Sequence, residues 1–156
     1  MILWRIAAET RAYQSTDLSG AGAAKNPGRW NAVGQPMIYA AQAPSLAVLE
    51  TAAHIDSTGL PLNRYLIKIN IPDEIWAHRE SVDATHLPPA WAAIPAGVAS
   101  VQVGSDWLQS LRSLILVVPS AIIPEECASL LNPLHDLMKN VTAEAVRPFE
   151  YNRLFR

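Results

Sequence analysis

Arg64-Tyr65-Leu66-Ile67-Lys68-Ile69-Asn70-Ile71 is the stretch that decides the fold class of this chain. Tyr65, Ile67, Ile69 and Ile71 alternate with Leu66, Lys68 and Asn70, the period-two pattern of a half-buried strand, and Pro72 ends it. Upstream, Ile2 to Ile6 and Met37 to Ala41 are short apolar runs of strand length, the second set off by a turn bracketed by Gly34 and Pro36. Downstream, Leu114 to Val118 is a compact apolar run closed by Pro119, which predicts a buried strand. Pro44 and Ser45 start a helix over residues 44–55, in which Leu46, Leu49 and Ala53 share a face. A second helix is predicted over residues 101–113. Residues 73–95 carry Pro88, Pro89 and Pro95 without a steady period and predict irregular loops with one short helical turn; the tail after Leu130 is mixed. The 12 prolines are spread along the chain, which rules out long helices and favours an α+β plan of short strands.

A length of 156 residues fits one domain, 1–156, with one sizeable core. Half the residues are hydrophobic and 17% are charged, so the chain is expected to fold by itself. A net charge of -2 with scattered basic residues offers no track for a phosphate backbone, and no direct contact with nucleic acid is expected. The lone Cys127 excludes an internal disulfide and a multi-cysteine metal site, and reads as a buried, inert thiol. His54, His78, His86 and His135 lack ligand spacing, so no metal is predicted. Arg5 interrupts the apolar start Met1-Ile2-Leu3-Trp4, so no secretion signal is read there. No apolar run approaches the roughly 20 residues of a membrane span. A soluble, cytoplasmic protein is the expectation.

Candidate chemistry is spread over several segments. Asn26-Pro27-Gly28-Arg29-Trp30-Asn31 combines a turn, a guanidinium, an indole and an amide in one short stretch. An arginine held beside a glycine loop can grip a pyrophosphate bidentately, although a surface arginine next to a core tryptophan has the same sequence appearance. Tyr39 lies in an apolar strand, where a phenol packs its ring and finds one partner, or stacks on an aromatic ligand. Glu50 is a lone carboxylate on a nearly uncharged helix, suited either to a solvent-facing position or to stabilising the cation that forms when a glycosidic C–N bond breaks. Ser120, after Val117-Val118-Pro119, lacks the glycines of a nucleophile elbow and reads as a turn cap or a ligand donor. There is no P-loop and no G-x-G-x-x-G, so a nucleotide would have to bind by another route.

Taken in order, Leu3-Trp4-Arg5-Ile6, Gly28-Arg29-Trp30-Asn31, Gly34-Gln35-Pro36-Met37-Ile38-Tyr39-Ala40-Ala41 and Ser45-Leu46-Ala47-Val48-Leu49-Glu50 resemble the RES domain. That family is named for an arginine, a glutamate and a serine, and Arg29, Glu50 and Ser120 occur here in that order. Pro119-Ser120-Ala121-Ile122-Ile123-Pro124, Leu131-Asn132-Pro133 and Arg153-Leu154-Phe155 extend the resemblance over nearly the whole chain, most weakly between Asp73 and Trp107. The resemblance implies an ADP-ribosyltransferase-like fold: two small, mostly antiparallel β-sheets around an NAD cleft, with peripheral helices. It further implies the toxin of a type II toxin–antitoxin pair that degrades cellular NAD at the nicotinamide–ribose bond, with NAD as substrate and no resident cofactor. The partner it implies is an Xre-type antitoxin carrying a helix-turn-helix, with a toxin homodimer inside the complex. On this reading Arg29, Tyr39 and Glu50 are catalytic, Arg5 and Arg29 hold the phosphates, Tyr39 packs on nicotinamide or its ribose, and Ser120 and Asn132 add polar contacts. A protein ADP-ribosyltransferase and a non-catalytic nucleotide-binding module remain the alternatives.

Overall fold

Short apolar runs separated by prolines can pair only as a sheet of short strands, and a computed structural model, which describes residues 1–155, has that form. The strands are β1 (Ile2–Ala8), β2 (Ile38–Ala41), β3 (Arg64–Asn70), β4 (Glu80–Ser81), β5 (Ile115–Pro119), β6 (Cys127–Leu131) and β7 (Thr142–Phe149). They lie in the order β4-β5-β6-β2-β1-β3-β7. Every neighbouring pair is antiparallel except β4 with β5. The helices are α1 (Ala21–Lys25), α2 (Pro44–Ala52), α3 (Asp73–Ala77) and α4 (Val98–Ser110). The α+β class read from the sequence therefore holds.

The two sheets expected from the resemblance are two halves of one sheet. β1 and β2 meet in the single registered pair Trp4↔Ala41, whereas β1 runs beside β3 over its whole length. Beyond that joint β1 and β2 part, and Arg5 is the first residue past it on β1. On one face of the sheet Leu3, Ile38, Ile67, Ile69, Ile115 and Leu131 form the main core. On the other face α4 covers Leu116, Val118 and Leu130 with Trp107 and Leu108, and Leu46 and Ala47 of α2 sit on Ala41 with Trp4. Leu66, on the polar side of the predicted alternation, is buried as well, because Ile6 and Tyr151 close that face over it.

Several boundaries differ from the sequence reading. The second helix begins at Val98 and ends at Ser110, three residues before the predicted end, because Leu111 turns left-handed with φ 53°. The stretch before Gly28 holds the short helix α1. β7 lies in the tail read as mixed, and β6, for which the sequence reading has no strand, is buried on both faces and so does not alternate. β7 is an edge strand in which Glu144, Arg147 and Pro148 interrupt the pattern, and its register to β3 slips between Leu66 and Ile67. Cys127, expected to be buried, is exposed at the start of β6.

One contact sets how closely α4 approaches the rest. A Cβ placed on Gly104 would lie 1.8 Å from the Trp30 carbonyl oxygen, so the helix touches the backbone of the 28–31 loop directly. Alanine is the better helix former by about 1 kcal/mol, and on propensity alone Gly104→Ala would stabilise. Here the clash reverses the sign. We expect Gly104→Ala to cost about 2 kcal/mol net, a fall in Tm of about 6 °C in a thermal melt followed by circular dichroism; a rise in Tm would refute the close approach.

Candidate active site

The Gly28–Asn31 loop is built around a buried amide. Asn31 is 1% exposed, and its Nδ2 donates to the carbonyls of Ala23 (2.9 Å) and Gln35 (2.9 Å) while its Oδ1 accepts from the Gly28 amide (2.9 Å). The Tyr39 hydroxyl donates to the same Oδ1 at 2.7 Å and accepts from the Trp30 amide at 3.0 Å. A Cβ on Gly28 would fall 2.7 Å from Tyr39 Cζ, so glycine is needed there for the ring to lie under the loop. Burial pushes the Tyr39 phenol well above the ordinary tyrosine range, against smaller opposing effects of the Trp30 amide and the Arg29 charge. Tyr39 is therefore a neutral peg that holds the loop, with its oxygen already engaged on both sides.

Arg29 projects from this loop, half-buried. Its Nη1 donates to the carbonyls of Trp91 and Ala93, each at 2.8 Å, and the ring of Trp91 stacks on Trp30 at 6.1 Å between centroids. Nε and Nη2 make no hydrogen bond among the described residues, so one edge of the guanidinium is fixed and another is uncommitted. Gln35 ties the loop to α4: its Oε1 accepts from Ser105 Oγ (2.7 Å) and from the Ala32 amide (2.8 Å).

Glu50 and Ser120 are brought together from 70 residues apart. Pro44 at the first turn of α2 starts the helix that carries Glu50, and Leu46 and Ala47 seat it on Ala41. Ser120 follows β5, is 1% exposed, and donates from Oγ to Glu50 Oε1 at 2.6 Å. The same Oγ accepts from the Ile122 (3.1 Å) and Ile123 (3.0 Å) amides, so Ser120 is both turn cap and carboxylate donor. Register relates the strands that carry the two clusters. Tyr39, Leu130 and Leu116 form one row across β2, β6 and β5, and Ala41, Ala128 and Val118 form the row two residues on along β2, at the end where α2 and Ser120 begin.

The other two candidates stand apart from this group. Asn132 is fully buried, and its amide is spent on the Leu108 carbonyl (2.8 Å) and the Leu134 amide (3.0 Å), tying the end of β6 to α4. Arg5 sits at the fork between β1 and β2. Its one hydrogen bond among the described residues is a long 3.5 Å contact from Nη1 to the Asp17 carbonyl. Burial lowers its pKa, opposed by the nearby charges of Asp17 and Tyr13. A guanidinium held with so few acceptors is chemically suited to an anion.

Sequence reasoning noted the Asn31 amide without its role and did not identify Gln35, Ser105 or Gly104 as the loop's supports. A glycine inside an otherwise regular helix was the one available signal, since it marks close backbone approach. The described residues contain no cluster of three or more His, Cys, Asp or Glu able to hold a metal, and no helix long and apolar enough to cross a membrane.

Comparison with known proteins adds to this geometry. Residues 2–152 match the family described as the RES domain. A Sphingobium protein named "Prs ADP-ribosylating toxin" is 50% identical over 149 residues, covering 96% of this chain and 92% of the relative. A Photorhabdus laumondii protein named "Toxin Res" is 38% identical over 135 residues, covering 86% of this chain and 83% of that one. The solved structure of the M. tuberculosis MbcT-MbcA toxin–antitoxin complex contains a chain that superposes with a TM-score of 0.60 over 98% of this chain and 87% of that one, at 17% identity, which shows a shared fold. The match over residues 2–152 and the 50% identity across nearly the whole length show that this chain belongs to the RES-domain family.

Proposed function

We propose that the protein is the toxin of a toxin–antitoxin pair and that it consumes NAD by cleaving the nicotinamide–ribose bond. The Glu50–Ser120 pair, a carboxylate held by a buried hydroxyl, is the observation that carries this reading. The names of the relatives support it: the Sphingobium protein is called an ADP-ribosylating toxin and the Photorhabdus protein a toxin. In this mechanism the C1′–N bond of the nicotinamide riboside breaks and its electron pair leaves on the nicotinamide nitrogen, which becomes neutral, so no leaving-group acid is needed. Positive charge develops on the ribose. Glu50, held by the Ser120 hydroxyl, opposes that charge through the ribose hydroxyls. The acceptor oxygen then bonds C1′ and loses its proton to solvent or a base. The free edge of Arg29, with Arg5 at the fork, holds the phosphates, and the Tyr39 ring flanks the nicotinamide or its ribose. Asn132 supports the strand end at a distance, and Ser120 acts through Glu50.

The proposed partner is an antitoxin of the Xre type carrying the DNA-binding helix-turn-helix, in a complex containing a toxin homodimer in the cytoplasm. The net charge of -2 supports leaving DNA contact to that partner. The name of the 50% identical relative favours a second reading in which a protein side chain, in place of water or phosphate, accepts the ADP-ribose.

The first test is release of free nicotinamide from NAD by the purified, antitoxin-free protein, with and without inorganic phosphate. Glu50→Gln, which removes the charge and barely changes volume, is expected to lower that release by about a hundredfold or more while the Tm is retained. A folded Glu50→Gln protein of undiminished activity would refute the mechanism. Arg29→Ala is expected to weaken NAD binding by about tenfold in a calorimetric titration, the loss of a charge-assisted contact; unchanged affinity would remove Arg29 from the phosphates. With NAD labelled in its adenylate half, label retained on protein in a cell extract identifies the transferase reading, and label found only in small molecules identifies water or phosphate as acceptor.

A further inference from the structure

Glu50 sits in the last part of a nine-residue helix, the part of a short helix that frays first. The chain after it, residues 56–60, is exposed. What closes this end of α2 comes from the other end of the sequence. Tyr151, 2% exposed and 100 residues away, donates its hydroxyl to Thr51 Oγ1 at 2.7 Å. Thr51 is the neighbour of Glu50. Its own Oγ1 bonds back to the Ala47 and Val48 carbonyls, both at 3.0 Å, so the threonine hydroxyl joins the helix interior to the tyrosine. Around this bond Tyr151 packs with Ile6 and Leu66, and Val48, Ala52 and Ile55 of the α2 region close on the same cluster. Phe149 meets Tyr151 edge to face at 5.1 Å between ring centroids, which fixes the ring and therefore the direction of its hydroxyl.

We propose that Tyr151 is a positioning residue for the reaction: it holds the last turn of α2 so that Glu50 stays aligned with Ser120. The inference rests on the reading of Glu50 as the carboxylate that opposes the developing ribose cation. Glu50 is then held from two directions, by Ser120 at its carboxylate and by Tyr151 through the adjacent residue of its helix. Neither hold touches NAD, so loss of the Tyr151 hydroxyl acts on turnover and leaves substrate affinity alone. Misplacing a charge that works only in the transition state lowers kcat and not the ground-state complex.

The test compares Tyr151→Phe, which keeps the ring and removes the hydroxyl, with Thr51→Val, which removes the other partner at nearly constant volume. Each is expected to lower kcat for nicotinamide release about fivefold, with KM for NAD within about twofold of the parent, the size of effect one hydrogen bond carries. In a Glu50→Gln background neither change is expected to lower the residual rate further, because the group being aligned is gone. Amide hydrogen exchange across residues 49–53 provides a readout independent of catalysis: both variants are expected to lose protection there while β5 and β6 keep theirs. Unchanged kcat in either folded variant, a KM-only effect, or an additional loss in the Glu50→Gln background overturns the proposal. If the parent releases no nicotinamide, the functional reading fails instead, and the exchange data alone report whether Tyr151 fixes the helix end.

Discussion

The pairing of Trp4 with Ala41 is the joint on which this molecule turns. It is the one registered contact between β1 and β2, and so between the β4-β5-β6-β2 half of the sheet and the β1-β3-β7 half. A single pair of residues supplies little backbone hydrogen bonding, and the joint is held by what surrounds it. The indole of Trp4 packs into the cluster of Ala41, Leu46 and Ala47 and also into that of Ile6, Leu66 and Tyr151, so one side chain belongs to both halves. Helix α2 lies across the same place. The helix packs on strands of both halves, and its Glu50 and Thr51 meet Ser120 and Tyr151 from the later part of the chain.

The candidate site spends its polar groups in two ways. The Asn31–Tyr39 network is complete: the amide and the phenol are satisfied by backbone and by each other, so they shape the loop and make no further demand. Arg29 and Arg5 are held incompletely, each with donors to spare. A satisfied network beneath the under-satisfied Arg29 is an arrangement in which the rigid parts are settled before a ligand arrives and the charged edge is left to meet it.

Much of this was legible in the sequence, for identifiable reasons. The alternation in residues 64–71 reads as a strand because the main core lies on the side of Ile67, Ile69 and Ile71, and Pro44 marks the start of α2 because its missing amide belongs at a helix N-terminus. Arg29, Tyr39, Glu50 and Ser120 stood out by residue type and motif, and folding joins Ser120 to Glu50 and seats the Arg29 loop on Tyr39. Asn132 looked the same in the sequence as a ligand-facing asparagine, and only its burial against Leu108 and Leu134 distinguishes the two. The supports from α4, Gly104 and Ser105, act through contacts with residues far away in the chain; a glycine within a helix signals a close approach, but no local pattern names its partner. Cys127 reads as a buried thiol by its usual preference but begins a strand whose first residue lies outside the core.

The two edges of the sheet differ in how they end, and the difference bears on solubility. β4 is only two residues long, too short to template another strand. β7 is eight residues long and largely exposed, which makes it the natural place for a second chain to add on. Its Pro148 has no amide to offer, its register slips beside Ile67, and Glu144 and Arg147 place charge along it. A long open edge of this kind would invite fibrillar stacking at high concentration; these interruptions blunt it, so that growth of the sheet from molecule to molecule is discouraged at both margins.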